Sequence, residues 1–377
     1  MATALLFQPI ELRGVRLRNR IVISPMCQYC AQDGMVTDWH LVHLGKLAQG
    51  GAGAVFVEAT AVERRGRITH GDTGIWDDAH IPGLRRIATF LKEQGAIPAI
   101  QLAHAGRKAS MARPWHGNGP LAQADLDRGD RPWSTIAPTD RPVDAAWITP
   151  RAMKEGDFQA VLGAYRNAVR RAVAAGFEIL ELHAAHGYLL HTFLSPLSNT
   201  GPLEERMRFP LEVAAQVRKA WPEGKPLFVR CSSIDDVEGG WSLEDTLVFS
   251  KKLKQVGVDV IDCSSGGIQG SATAATRTVV KRVPGFQLPF AEAVRKQADI
   301  KTLAVGLILT PQQAEEALQA GRADLIAIGR EALYDPNWPL HAAAALGADP
   351  DFAQWPVQYG WWLTRREGLL RKLGVRK

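Results

Sequence analysis

The chain has 377 residues, 46% hydrophobic and 22% charged, a balance that supports a large buried core and excludes a disordered or low-complexity chain. Its 45 Lys and Arg stand against 39 Asp and Glu, for a net charge of +6, but the basic residues are dispersed, so no nucleic-acid surface is expected. Four cysteines are too few for a disulfide framework, no apolar run is long enough to span a bilayer, and the N-terminus lacks signal-peptide character, so a cytoplasmic protein without membrane contact is expected.

In chain order, short apolar or β-branched runs alternate with helix-like patterns. Residues 20–24 precede a helix near 40–50, 54–58 one near 80–94, 97–101 one near 157–175, and 178–182 one near 210–220. Residues 226–230 then precede a helix near 243–256, 258–262 one near 287–298, 302–306 one near 311–320, and 324–328 one near 336–345. Eight alternations predict an α/β chain folded as a closed (β/α)8 TIM barrel, a single domain over 1–377. An open Rossmann sheet is the runner-up, but it wants G-x-G-x-x-G after the first strand, where Pro25-Met26-Cys27-Gln28-Tyr29 stands. Two long excursions, 107–150 after the third strand and 264–286 after the sixth, read as lids. The basic run at 365–377, within a tail over 355–377, reads as solvated or subunit-contacting.

Barrel enzymes assemble their sites at the carboxyl ends of the strands. Those ends carry Pro25, Met26 and Cys27; Ala59; Gln101 with His104; His183 with His186; Arg230; Ser264, Ser265 and Gly266; Gly306; and Gly329 with Arg330. Residues 177–182 alternate apolar and acidic, as in a strand carrying Leu and Ile on one face. Gly187 then marks a turn that delivers His183, His186 and Tyr188 together, as hydrogen-bond donors and a proton source. His183-x-x-His186 and His40-x-x-His43 have the spacing of metal pairs, yet no third ligand lies nearby in sequence. The first pair reads better as a small-molecule site and the second as packing or capping, so no metal is expected.

Cys27-x-x-Cys30 follows a strand instead of opening a helix, as a thioredoxin-type site would, and Cys30 reads as incidental. Arg230 serves either a structural ion pair or an anionic, electron-rich ligand, and Gln101 either the backbone or a ligand. Gly306 and Gly329 permit close backbone approach after strands seven and eight, and Arg330 adds a charge-assisted contact; a phosphate-bearing cofactor is expected.

Taken together, residues 19–29, 57–59, 101–108, 183–188, 193–199, 228–230, 262–266 and 328–331 resemble, across nearly the whole chain, the Old Yellow Enzyme family of FMN-dependent ene-reductases. The likeness is strongest to the subclass with a cysteine beside the flavin. It implies that Ser24, Pro25, Met26 and Cys27 line the flavin edge, with Cys27 tuning its potential, and that Ala59 and Gln101 contact the ring. Arg230 would face N1 and O2, while Gly306, Gly329 and Arg330 would hold the phosphate. His183 and His186 would bind the activating oxygen of an α,β-unsaturated carbonyl or nitro compound, Tyr188 would protonate it, and Tyr29 would help seat it.

The resemblance further implies NADPH or NADH as reductant, ping-pong kinetics and small activated alkenes as substrates. A flavin-binding barrel acting as a xenobiotic or nitro reductase, or as a sensor without turnover, is the alternative. Iron–sulfur relatives of this barrel need a clustered cysteine quartet that scattered cysteines do not provide. One departure is that the family's Arg-x-Asp-x-Tyr-Gly-Gly-Ser run is missing between Asn199 and Arg206, although Arg206, Arg208 and Phe209 match. Residues 358–362 resemble a segment that reaches a neighbouring protomer's site, which implies a homodimer or homotetramer with Trp361 as a pocket wall.

Overall fold

A computed structural model describes residues 4–271 and 279–375. Eight parallel strands close into a barrel: β1 (Ile21–Ile23), β2 (Ala54–Ala61), β3 (Ile97–Ala103), β4 (Ile179–Ala184), β5 (Leu227–Ser232), β6 (Val260–Ser264), β7 (Lys301–Ala304) and β8 (Leu325–Ile328). Each is followed by a helix: α1 (Asp38–Gln49), α2 (Ile81–Glu93), α3 (Glu155–Ala175), α4 (Leu203–Ala220), α5 (Leu243–Gln255), α6 (Leu288–Gln297), α7 (Pro311–Gln319) and α8 (Trp338–Ala345). The architecture is the expected TIM barrel. Local chemistry starts the helices where the sequence signals them. Ser242 Oγ accepts from Asp245 N at 3.1 Å while the Asp245 carboxylate accepts from Ser242 N, a reciprocal cap on α5. Thr310 caps α7 ahead of Pro311. Among the described residues no helix is long and apolar enough to cross a membrane.

Strands buried on both faces divide the core in two. Val22, Phe56, Ala99, Ile179, Phe228, Val260, Leu303 and Leu325 fill the barrel interior, whereas Ile21, Ile23, Leu180, Leu182, Cys231 and Cys263 pack outward with the helices. Ile179 therefore lies on the opposite face from Leu180 and Leu182, which corrects the expected single apolar face; period 2 here separates two buried environments, not core from water.

A hairpin that the sequence reading did not anticipate, Ile10–Leu12 paired with Val15–Leu17, packs into the interior cluster. Gly14 N donates to Gly224 O, which precedes β5, so the hairpin closes the amino-terminal end of the barrel.

Helix α4 begins at Leu203, seven residues ahead of the expected start, with Pro210 inside it. Glu204 and Glu205 in its first turn complement the helix dipole, and Met207, Phe209, Val213 and Val217 bury one face, which outweighs the carbonyl that Pro210 leaves without its helical donor. Pro202 precedes this helix directly, so the shortened segment after Asn199 is a tight connection. The Arg206 guanidinium closes it by donating to the carbonyls of Gly201 (3.0 Å) and Leu194.

The excursion after β3 contains short helical turns and a small sheet pairing Ile136–Ala137 with Arg151–Ala152. In the excursion after β6, the Ser/Thr/Ala run beyond Ser271 lies outside the described residues, at 272–278. The C-terminal helix, Val357–Lys372, leaves Val357, Tyr359, Trp361, Trp362 and Leu369 exposed.

Candidate active site

The expected site residues converge on the carboxyl ends of the strands. Ser24, Pro25, Met26, Cys27 and Tyr29 follow β1, and Ala59, Gln101 and Arg230 lie on β2, β3 and β5. His183 stands near the end of β4, with His186 and Tyr188 just beyond; Gly306 follows β7, and Gly329 and Arg330 follow β8. Tyr188, Ala59 and Cys27 pack in one cluster with Ala103, Ile68 and Met111. Arg330 is exposed at the start of a short helix.

A bulge on β2 places Ala59. Val57 pairs with Ile100 and Ala59 with Gln101, so Glu58 is the extra residue. Its carboxylate turns to the loop after β1, accepting from Gln28 N at 3.0 Å. Burial, with Asp72 adding repulsion, pushes the Glu58 carboxyl up to about 8. His40 Nε2 lies 3.7 Å from Glu58, and His40 Nδ1 accepts from Thr37 N at 2.9 Å, so this imidazole caps α1 as expected. Cys30 Sγ lies 3.8 Å from the same His40 Nε2.

A folded-state Glu58 value above its ordinary 4.5 means that the group's contribution to stability is complete below about pH 4.5 and is lost as pH rises through about 8. Glu58→Gln is expected to remove that loss. The variant then gains roughly 2–5 kcal/mol over the parent at alkaline relative to acid pH, read from urea unfolding at both ends.

The loop after β4 is held in a conformation that presents its side chains. His186 (φ 59°) and Gly187 (φ 76°) are both left-handed. Gly187 N donates to His191 Nδ1 at 2.8 Å; His191 Nε2 lies 2.8 Å from Asp235 Oδ1, and Ser195 Oγ donates to Asp235 Oδ2 at 2.6 Å. Lys108, wholly buried, donates to the carbonyls of His186 (3.0 Å) and Gly267, tying this loop to the one after β6. A Cβ on Gly187 would lie 2.5 Å from Gly267 O and 2.7 Å from Lys108 Cε. Gly187→Ala is therefore expected to cost about 1–3 kcal/mol of stability and to displace Tyr188, measured as a lowered urea midpoint with lost activity.

His183 Nδ1 accepts from Ala185 N at 3.2 Å, which leaves the proton of the neutral imidazole on Nε2, where it has no partner among the described residues. Burial, aided by the Arg230 charge, holds His183 well below its usual range and keeps it neutral. His186 Nε2 lies 2.8 Å from Ser264 Oγ, and burial and His183 lower it likewise. Tyr188 stands edge-on to His183, ring centroids 4.9 Å apart; burial raises its phenol well above the usual range, so the proton stays on. Burial also raises the Cys27 thiol and the Tyr29 phenol.

Gln101 is committed on one side only. Its Nε2 donates to Glu181 Oε1 at 2.8 Å, while Arg230 Nη1 lies 3.4 Å from Asp262 Oδ2. Both readings of Arg230 thus gain support, because its Nε, like Ser24 Oγ, is buried without a hydrogen-bond partner among the described residues. Unpaired buried donors at a barrel mouth mark the place of a polar ligand. Gly329 is open, a Cβ there meeting only Ser24 Cβ at 4.0 Å, and Gly306 has φ 117°. These features suit a flat heteroaromatic ring with a phosphate near β7 and β8.

Glu181 and Asp262 went unassigned in the sequence reading. The signal was there, as an acidic residue between apolar neighbours in Leu180-Glu181-Leu182 and Ile261-Asp262-Cys263.

The profile of the NADH:flavin oxidoreductase / NADH oxidase family matches residues 5–348. The NADPH dehydrogenase of Geobacillus sp. (strain WCH70) is 43% identical over 367 residues, covering 95% of this chain and 98% of that protein. That of Bacillus subtilis (strain 168) is 43% identical over 366 residues, covering 94% and 99%. Among solved structures, morphinone reductase superposes with a TM-score of 0.74 at 22% identity, covering 91% of this chain and 90% of that one, a likeness of fold. A 2-naphthoyl-CoA reductase superposes with a TM-score of 0.78 at 25% identity over 92% of this chain, which spans 53% of that longer one. Family profile, relatives and barrel agree: the chain belongs to the NADH:flavin oxidoreductase / NADH oxidase family, the Old Yellow Enzyme family to which its motifs pointed, and is an oxidoreductase.

Proposed function

We propose that the protein is an FMN-dependent ene-reductase, reduced by NADPH or NADH, that acts on small alkenes activated by a carbonyl or nitro group. The observation that carries this reading is the juxtaposition of a neutral His183, its Nε2–H free, with a protonated Tyr188. When bound, FMN supplies two-electron transfer between the nicotinamide and the β-carbon of the alkene. Ser24, Pro25, Met26, Cys27, Ala59 and Gln101 would border its ring, Arg230 would face the side where negative charge gathers, and Gly306, Gly329 and Arg330 would hold its phosphate.

The chain's own groups do the rest. His183 Nε2–H donates to the activating oxygen, and preorganised donors act where charge develops. His186, oriented by the 2.8 Å hydrogen bond between its Nε2 and Ser264 Oγ, serves as the second imidazole at that oxygen. Tyr188 gives its proton to the α-carbon, and Tyr29 helps seat the substrate. The exposed aromatic face of the C-terminal helix, with Arg365 stacked 3.2 Å over Trp361, supports a homodimer or homotetramer in which Trp361 walls a neighbouring pocket.

The decisive experiment is the visible spectrum of purified protein, followed by turnover of a small enone and nitroalkene panel with each nicotinamide. Flavin bands and enone-dependent oxidation of NADPH are expected. Colourless protein that FMN does not reconstitute refutes the cofactor. Yellow protein that leaves every enone untouched refutes the reaction.

A further inference from the structure

The barrel interior carries one polar layer above its apolar floor. Gln101 and Glu181 are register partners on β3 and β4, as are Arg230 and Asp262 on β5 and β6. Glu181 and Asp262 are fully buried. Glu181 Oε2, both Asp262 oxygens and Arg230 Nε have no hydrogen-bond partner among the described residues, the 3.4 Å approach of Arg230 Nη1 to Asp262 being an ion pair. Two buried carboxyl groups thus stand in this layer with one guanidinium, which contacts Asp262. Ionising both would bury two like charges in one layer, and the Asp262 charge repels a second one on Glu181, so the arrangement with both ionised is disfavoured.

The other groups facing the layer do not supply the missing positive charge. His183, one step up β4, is held neutral. Glu58 is turned away by the β2 bulge, and Cys231 and Cys263 lie on the outer faces of β5 and β6. The remaining strands contribute Val22, Phe56, Leu303 and Leu325. Burial raises both carboxyls, and the Asp262 charge raises Glu181 further.

We propose that Glu181 and Asp262 form a one-proton carboxyl pair, Glu181 the neutral acid and Asp262 the carboxylate that balances Arg230, and that this pair sets the charge presented to the flavin. The inference rests on the FMN reading above. Both are positioning residues: Glu181 accepts from Gln101 and donates its proton to Asp262, while Asp262 offsets the cation that favours the reduced, anionic ring. Removing the Asp262 charge leaves Arg230 uncompensated. Removing the Glu181 proton site changes little if the replacement is neutral and of the same shape.

The test is the midpoint potential of the FMN-loaded protein for the parent, Asp262→Asn and Glu181→Gln. Asp262→Asn is expected to raise the potential by about 30 mV, a tenfold shift for a two-electron couple. Glu181→Gln, which still accepts from Gln101 and donates to Asp262, is expected to shift it by less than about 14 mV, a threefold change. Equal shifts in both variants, or none in Asp262→Asn, overturn the proposal.

Infrared spectra decide the same point if Asp262→Asn does not fold. The parent is expected to show a protonated buried carboxyl band that Glu181→Gln loses; no such loss overturns the pair. Parent protein that binds no FMN refutes the cofactor reading instead, and the infrared comparison still decides the pair.

Discussion

Tyr188→Phe is expected to slow the acceptor-dependent half-reaction at least about a hundredfold, the usual weight of a positioned general acid, while the nicotinamide-dependent half-reaction keeps its rate. The phenol is buried and its pKa lies well above the ordinary range, so it remains a proton donor throughout the neutral range. Phe preserves the edge-on packing against His183 and removes only the hydroxyl, so stability is expected to change little. Rapid-mixing measurement of the two half-reactions separates the roles. Equal slowing of both excludes Tyr188 as the donor.

His183→Ala is expected to lower turnover about 10²–10³-fold with enones, the effect of losing one oxyanion donor. The tautomer carries the argument. Because Nδ1 accepts from Ala185 N, the proton stands on Nε2, and an amide donor restores part of what a methyl group cannot. His183→Asn is therefore expected to recover a substantial share of the activity lost in His183→Ala, with tighter acceptor binding. Undiminished turnover in His183→Ala together with His186→Ala removes both imidazoles from substrate binding.

The barrel was legible because each strand and helix announces itself locally, by β-branched runs and by caps such as Ser242 and Thr310. What escaped was set by partners distant in sequence. The hairpin at residues 10–17 carries clear alternation, but nothing in it says that Leu12 and Leu17 join the cluster of Phe56 and Phe228. The face assigned to Ile179 failed because a barrel strand is buried on both sides, so the acidic Glu181 points to an interior layer and not to water. The helix expected near 210–220 starts earlier, because the apolar face around Met207 and Phe209 carries it through Pro210. The bulge at Glu58 is invisible in one strand alone, since it exists only as a register against β3.

The site residues were legible as types, because His, Tyr, Arg and Gln recur at strand ends. Their states were not. Which nitrogen of His183 carries the proton depends on Ala185 N, and whether Gln101 has a spare acceptor depends on Glu181.

The hairpin packs beneath an interior already filled by side chains, so the amino-terminal end of the barrel offers no way in. On the proposed function, reductant and acceptor would take turns at the one mouth left, and a crowd of either is expected to obstruct the other.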